Sequence, residues 1–309
     1  MKKSQTSYRG AEALTFTTKA LELVVTTGVG PRVVSLRSLA GKAQKSAQNI
    51  FLQFPEDEPR AHGLLHFRGG HRLWHSPEQI PRTYQPDDEP LAVKPLPKGV
   101  ALVQPTEEKT GIRKGMKIEV FGESTIKVTH GLVNHNAWAI ETAPWALTMF
   151  RAGGYAALPL LPKGDHARGD LLPNYSLVPW TYTDFSHPCW DMHRDYIGLD
   201  VTKCRVPQKL GITNYPGWSA YWLDGVTFVK YASVLPDTAY PDMGCPFELF
   251  SNGKMIELET LGAYGKVEPE SSVTHIEYWT LFDGLDKPAT DKAFAALQAA
   301  VDKWLAKLK

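Results

Sequence analysis

The chain has 309 residues, with 34 Lys+Arg against 33 Asp+Glu, for a formal charge of +1. Such balance offers no concentrated positive field, so neither nucleic acid nor an anionic membrane is an expected partner. Hydrophobic residues make up 43% of the chain, with nine Trp, enough for a large core. No apolar run approaches the roughly 20 residues that a bilayer span needs.

In chain order, MKKSQTSYRG has a basic pair but no apolar stretch behind it, so it does not read as an uncleaved signal peptide. LTFTTKALELVVTTG (14–28) alternates apolar and polar residues and reads as strand. PRVVSLRSL (31–39) resumes the alternation after a Gly-Val-Gly-Pro turn. The Pro-rich DDEPLAVKPLPKG (87–99) reads as a surface loop. GMKIEVFGESTIKVTHGLVN (115–134) gives two strands around Gly-Glu-Ser, with Ile118, Val120, Ile126 and Val128 at period two. YWLDGVTFVKYASV (221–234) carries an Asp-Gly hairpin signal. GKMIELETLG (253–262) and SSVTHIEYWTLF (271–282) read as further strands.

The C-terminus changes period. Phe294, Leu297, Val301, Trp304, Leu305 and Leu308 recur at helical spacing, with Thr290 or Asp291 as N-cap. A helix over about 289–308 is expected to lie against the sheet and do no chemistry. Many short strands punctuated by 23 Pro and 25 Gly predict an all-β sandwich or barrel. A chain of this length allows two domains, but a large sandwich reaches it as one, so 1–309 is read as a single domain. Cys189, Cys204 and Cys245 are odd in number and widely spaced, which reads as free thiols in a reducing compartment and points to the cytoplasm.

The densest chemistry lies in RGGHRLWHSPE (68–78). His71 and His75 share a face on either a helix or a strand, as metal ligands do. A third ligand is not evident, so no metal is expected. A sugar uses more of the segment, since pyranoses are held by aromatic planes and planar multi-donor groups. Trp74 would stack, and Arg68, Arg72, His71 and Glu78 would hold hydroxyls. The structural alternative makes Trp74 core and pairs the arginines with acids at a strand end.

A second cluster, AYPDMGCPFELFSNGKMIELETLG (239–262), holds Asp242, Glu248, Glu257 and Glu259. In MIELET, Ile256 and Leu258 face one way and Glu257 and Glu259 the other. Such an acid pair is usually solvated, whereas a cleft would raise a carboxyl's pKa and fit it for general-base work. A third, HGLVNHNAWAIETAPWALTMF (130–150), places Trp138 and Trp145 on opposite faces of a strand, with His130 and Glu141 nearby. With VPWTYTDF (178–185) and NYPGWSAYW (214–222), these rings predict an aromatic-lined cleft for an uncharged polar ligand. The sequence has no Gly-x-Ser-x-Gly elbow, phosphate-binding Gly-rich loop or dinucleotide fingerprint, and no cofactor is expected.

On these segments the chain resembles the galactose mutarotase-like superfamily of aldose 1-epimerase-like proteins, in a DUF4380-type branch. LELVVTTGVGPRVVSLRSLAG is similar to the opening strands of aldose 1-epimerases. RGGH resembles the Arg-Gly-Gly of hexose-6-phosphate 1-epimerases, whose arginine contacts substrate. IELETLGAYGKVEPESSVTHIEYWTL resembles the closing segment, in which Leu-Glu-Thr carries the catalytic base, here Glu259. The resemblance implies a large antiparallel β-supersandwich with a sugar on a groove across one sheet. It also implies a catalytic histidine on a mid-chain strand, but IETAPWALTMF places Trp145 at that position. His71, His75 or His130 would then have to supply the acid. YPDMGCPFE, which departs from the family pattern, suggests a ligand of this branch's own. The expectation is a protein for a small-molecule carbohydrate, either an aldose 1-epimerase-like isomerase using Glu259 with His71 or His75, or a non-catalytic sugar binder. Arg68, Arg72, Trp74, Glu78, Trp145, Asp242 and Glu248 would line its site.

Overall fold

The structure, a computed structural model, describes residues 1–40 and 48–308. Two antiparallel sheets face each other, as the alternation predicts. The first runs Lys2–Tyr8, Ala11–Thr17, Leu21–Thr26, Arg32–Ser38, His71–Ser76, Ile140–Arg151, Met255–Leu261, Phe247–Ser251, Gln208–Ile212 and Leu177–Pro179, with Gly265–Val267 beside Ile140–Arg151. The second runs Trp190–Met192, Tyr196–Asp200, Tyr155–Pro159, Trp218–Leu223, Val226–Tyr231, Ser272–Asp283, Thr125–Asn134, Ile112–Phe121, Gly99–Val103 and Ala92–Leu96. Inward side chains from both sheets, among them Phe16, Leu23, Val128, Phe150, Phe228 and Trp279, form the main core. This is the all-β supersandwich with a C-terminal helix that the sequence leads one to expect.

The helix Asp291–Leu305 starts where Thr290 accepts a hydrogen bond from the Ala293 amide. Phe294, Leu297, Val301 and Trp304 are its buried stripe. They cover the outer face of the second sheet at Tyr155, Tyr196, Trp218 and Val229. The helix thus covers the outer face of that part of the second sheet, whereas Ile112–Phe121 and Thr125–Asn134 keep a half-exposed outer face.

Two readings of the sequence need correction. The segment 14–28 is two strands, because Thr18 Oγ1 accepts from the amides of Ala20 (3.1 Å) and Leu21 (3.0 Å) and closes a turn without Gly or Pro. The 87–99 segment is not all loop: Ala92–Leu96 pairs with Gly99–Val103. Its Pro95 is tolerated because the strand lies at the sheet edge. The glycines of RGG have a structural cause. Gly69 and Gly70 both take positive φ, and a Cβ on either would collide with the carbonyl of Leu52 or Val33. Among the described residues no helix is long and apolar enough to cross a membrane. Cys189, Cys204 and Cys245 are buried and free.

Candidate functional site on the outer face of the first sheet

Strand register assembles the site. Leu147 lies opposite both Arg72 and Glu259, and Glu259 lies opposite Glu248, so these four side chains form a row across four strands. Trp145 sits opposite Trp74 one step along the same face. Lys209 comes from Gln208–Ile212, where it faces the same way as Gly211, the partner of Glu248. Alternation thus puts Arg72, Trp74, Trp145, Glu257, Glu259, Glu248 and Lys209 on one face.

These groups are buried rather than solvated, so the acid pair of MIELET is not a wet surface. Glu259 and Glu248 are 0% exposed and Glu257 6%. Lys209 Nζ lies 2.7 Å from Glu248 Oε2 and 3.0 Å from Glu259 Oε2. Trp145 Nε1 donates to Glu259 Oε2 at 2.8 Å. Arg72 Nη2 donates to Glu257 Oε1 at 2.9 Å while its guanidinium stacks 4.2 Å from the Trp74 ring. Several polar atoms remain without a hydrogen-bond partner: Arg72 Nε and Nη1, Glu259 Oε1 and Glu248 Oε1. Buried polar atoms are normally satisfied, so this concentration of unpaired ones singles out the cluster.

Electrostatics follow from burial. Desolvation pushes the Glu248 carboxyl well above the ordinary carboxylate range; Lys209 opposes this, and Glu259 and Asp242 reinforce it. Burial also raises Glu257, against the pull of Arg72. Burial would lower Lys209, but Glu248 and Glu259 outweigh it and hold the ammonium well above its ordinary value.

The roof comes from residues 180–185. Lys209 Nζ lies 4.6 Å from the Trp180 ring, which is half-buried. Tyr182, 45% exposed, is pushed up to about 12 by partial burial and by Glu259, Glu78 and Glu248, with Lys209 opposing. Thr183 ties this turn to the carbonyl of Lys209. Glu78 accepts from the Tyr84 hydroxyl at the rim. Asp242 lies in a segment where it and Met243 both take left-handed φ, of 50° and 64°. Two consecutive residues of this kind are strained.

Other expected residues lie elsewhere. His71 and His75 project from the opposite face of their strand, into the sandwich, so neither ring passes a proton directly to Glu259. Arg68 is bound to Asp87 at 2.6 Å and to Asp88, and pins a loop together with Arg32. Trp74 offers no free stacking face: Arg72 covers it, and Tyr84 and Trp145 meet it edge-on at 4.9 and 5.4 Å. The more exposed rings near the cluster are Trp180 and Tyr182. Trp138 is 66% exposed and lies by a separate cavity with Ile80 and Arg82.

Sequence reasoning missed Lys209. Its signal was a lone cation within the apolar-flanked QKLGI. It also missed most of a buried network between the sheets. Lys230 lies 2.7 Å from Glu277 and donates to the Leu258 carbonyl of the first sheet. Thr260 Oγ1 donates to Glu277 and accepts from His275 Nε2. His130 Nδ1 donates to the His275 carbonyl, so its Nε2 accepts from His71 Nε2 at 2.8 Å. Burial lowers His71, His130 and His275, the last to about 3. His71, His130 and Glu277 bring ligand atoms within 4.8 Å of one another. The 2.8 Å between nitrogens suits a hydrogen bond, since two ligands on a tetrahedral zinc would stand about 3.3 Å apart.

The fold is the galactose mutarotase-like sandwich. The chain is similar to a galactose mutarotase-like protein from Lactobacillus casei, with a TM-score of 0.57 and 9% identity over 87% of this chain and 100% of that one. It is similar to a provisionally assigned aldose 1-epimerase from Klebsiella pneumoniae, with a TM-score of 0.58 and 11% identity over 97% and 86%. It also matches a TPR-domain containing protein from Parabacteroides distasonis, with a TM-score of 0.60 and 12% identity; there 91% of this chain spans 49% of the other. No protein-family profile and no curated protein sequence matches the chain.

Proposed function

We propose that the protein binds an aldose on the outer face of the first sheet, beneath the 180–185 segment, and interconverts its anomers with Glu259 as general base. The observation that carries this is the setting of Glu259. One carboxylate oxygen is fixed by Trp145 and Lys209 while the other has no hydrogen-bond partner. A base needs one oriented oxygen free to accept the anomeric hydroxyl proton. Arg72 Nε and Nη1 would hold sugar hydroxyls, and Trp180 and Tyr182 would meet the ring's apolar face. The carbohydrate reading is supported by this arrangement together with the resemblance of IELETLG and RGGH, and the DUF4380-type branch is proposed on the resemblance alone.

A second reading, a non-catalytic sugar binder, is favoured by one observation: Trp145 stands where the resemblance places the acid histidine, and it is buried against the base. Anomer exchange measured by NMR on glucose, galactose, mannose and glucose 6-phosphate separates the two. Exchange above the buffer rate that Glu259→Gln abolishes supports the isomerase. Line broadening without exchange supports the binder. A panel with neither effect refutes carbohydrate recognition of these aldoses.

A further inference from the structure

Resting on the isomerase reading, we infer that Glu248 is the acid of the groove, the group that protonates the ring oxygen while Glu259 deprotonates the anomeric hydroxyl. Ring opening needs a proton delivered to one oxygen and removed from another on the same carbon, so acid and base must stand close together on one face. Glu248 and Glu259 are direct cross-strand partners. Their Oε2 atoms both lie within 3.0 Å of Lys209 Nζ, hence no more than about 6 Å apart.

Elimination points the same way. His71, His75 and His130 lie behind the sheet. Arg72 does not deprotonate in a protein. Lys209 is held as an ammonium by the adjoining Glu248–Glu259 pair. Glu257 is bound by Arg72 and lies two residues from Glu259 along its own strand. Glu248 Oε1 has no partner and Oε2 meets only the Lys209 ammonium, at 2.7 Å but outside good hydrogen-bond geometry; both oxygens are fully buried.

The groups facing Glu248 are Lys209, Glu259, Asp242, Cys245 and Tyr182, and together they favour a single proton on the pair. Glu248, Glu259 and Lys209 carry a surplus negative charge, which Asp242 increases, and a proton on the pair relieves it. Glu248, raised by burial, is where that proton resides. Environments that drive two carboxyls apart assign them opposite roles.

The step balances without a co-reactant. Glu248 gives its proton to the ring oxygen as the bond from the anomeric carbon to that oxygen breaks. Glu259 takes the hydroxyl proton as the carbonyl forms. Rotation about the adjacent C–C bond and reversal of both transfers then close the other anomer.

The test compares wild type, Glu248→Gln, Glu248→Asp and Glu259→Gln for anomer exchange between pH 5 and 9, with circular dichroism confirming folding. The expected result is a loss of about 10²–10⁴-fold for Glu248→Gln with the alkaline limb of the pH profile gone. Glu248→Asp should restore part of the rate and that limb. Glu259→Gln should abolish exchange at every pH. A folded Glu248→Gln within threefold of wild type, or one that keeps the alkaline limb, overturns the assignment while leaving Glu259 in place. If Glu248→Gln does not fold, Glu248→Asp decides: an unshifted alkaline limb overturns the assignment. Wild type at the buffer rate with every sugar overturns the isomerase reading itself, and this assignment with it.

Discussion

Replacing Lys209 by Met removes the cation shared by two buried carboxylates while keeping most of the side-chain volume. Lys209 is 5% exposed, and its partners Glu248 and Glu259 are 0% exposed. Breaking a buried ion pair from one side costs about 3–5 kcal/mol, because the remaining charge stays desolvated. The ammonium also faces the Trp145 and Trp180 rings at 4.9 and 4.6 Å, contacts worth roughly 0.5–1 kcal/mol each. Protonation of a carboxylate returns part of this, so the expected net loss is about 4 kcal/mol at pH 7.5, read from urea unfolding. The loss should shrink on acidification. Without the ammonium, Glu248 rises further above its unfolded value, so the native variant holds a proton that the unfolded chain has released. Its stability then falls as pH rises through that higher pKa and recovers toward pH 5. A loss below about 1 kcal/mol, or one of the same size at pH 5 and 7.5, refutes this account of the cluster.

Two further outcomes concern the network between the sheets. His71, His130 and His275 have native pKa values depressed by burial, so they stabilise the fold above the ordinary histidine value. That contribution should drain away as pH falls below about 6.5, for His275 over the range down to about 3. Urea midpoints that stay constant between pH 7 and 5 would contradict it. Zinc at tenfold excess should leave the melting temperature unchanged, because the hydrogen bonds of His71 and His130 are already complete; a rise of several degrees with one ion bound would show a metal site instead.

The architecture was legible because alternation survives in a sandwich. The Asp-Gly hairpin at 224–225, the turn at 122–124 and the helical stripe of the C-terminus each announce themselves through local residues. The turn at Thr18 did not, because a hydroxyl rather than a glycine makes it. The acids of MIELET could be placed on one face, but not said to be buried, since burial depends on the 180–185 segment arriving from far along the chain. Lys209 was hidden for the same reason: a cation in a strand is costly until its two carboxylates are brought beside it by pairing. For RGGHRLWHSPE, residue types alone could not divide the segment between two faces. Only the register did that.

The strand His71–Ser76 is buried on both faces, with Arg72 and Trp74 on one and His71 and His75 on the other. An ordinary half-exposed strand is aligned by its apolar side, and its polar side can vary freely. Here neither side is free: Arg72 pairs with Glu257 in front, while behind, His71 bonds His130 and His75 lies 3.4 Å from Glu107. A slip of one residue would present imidazoles to the outer face and a guanidinium to the inner network, so polar pairing adds to hydrophobic burial in fixing the alignment of this strand. It is a party wall between two polar rooms. Substitutions of Arg72 or Trp74 that shift this strand will therefore also disturb His71 and His75 behind it, and such variants need their acid stability measured.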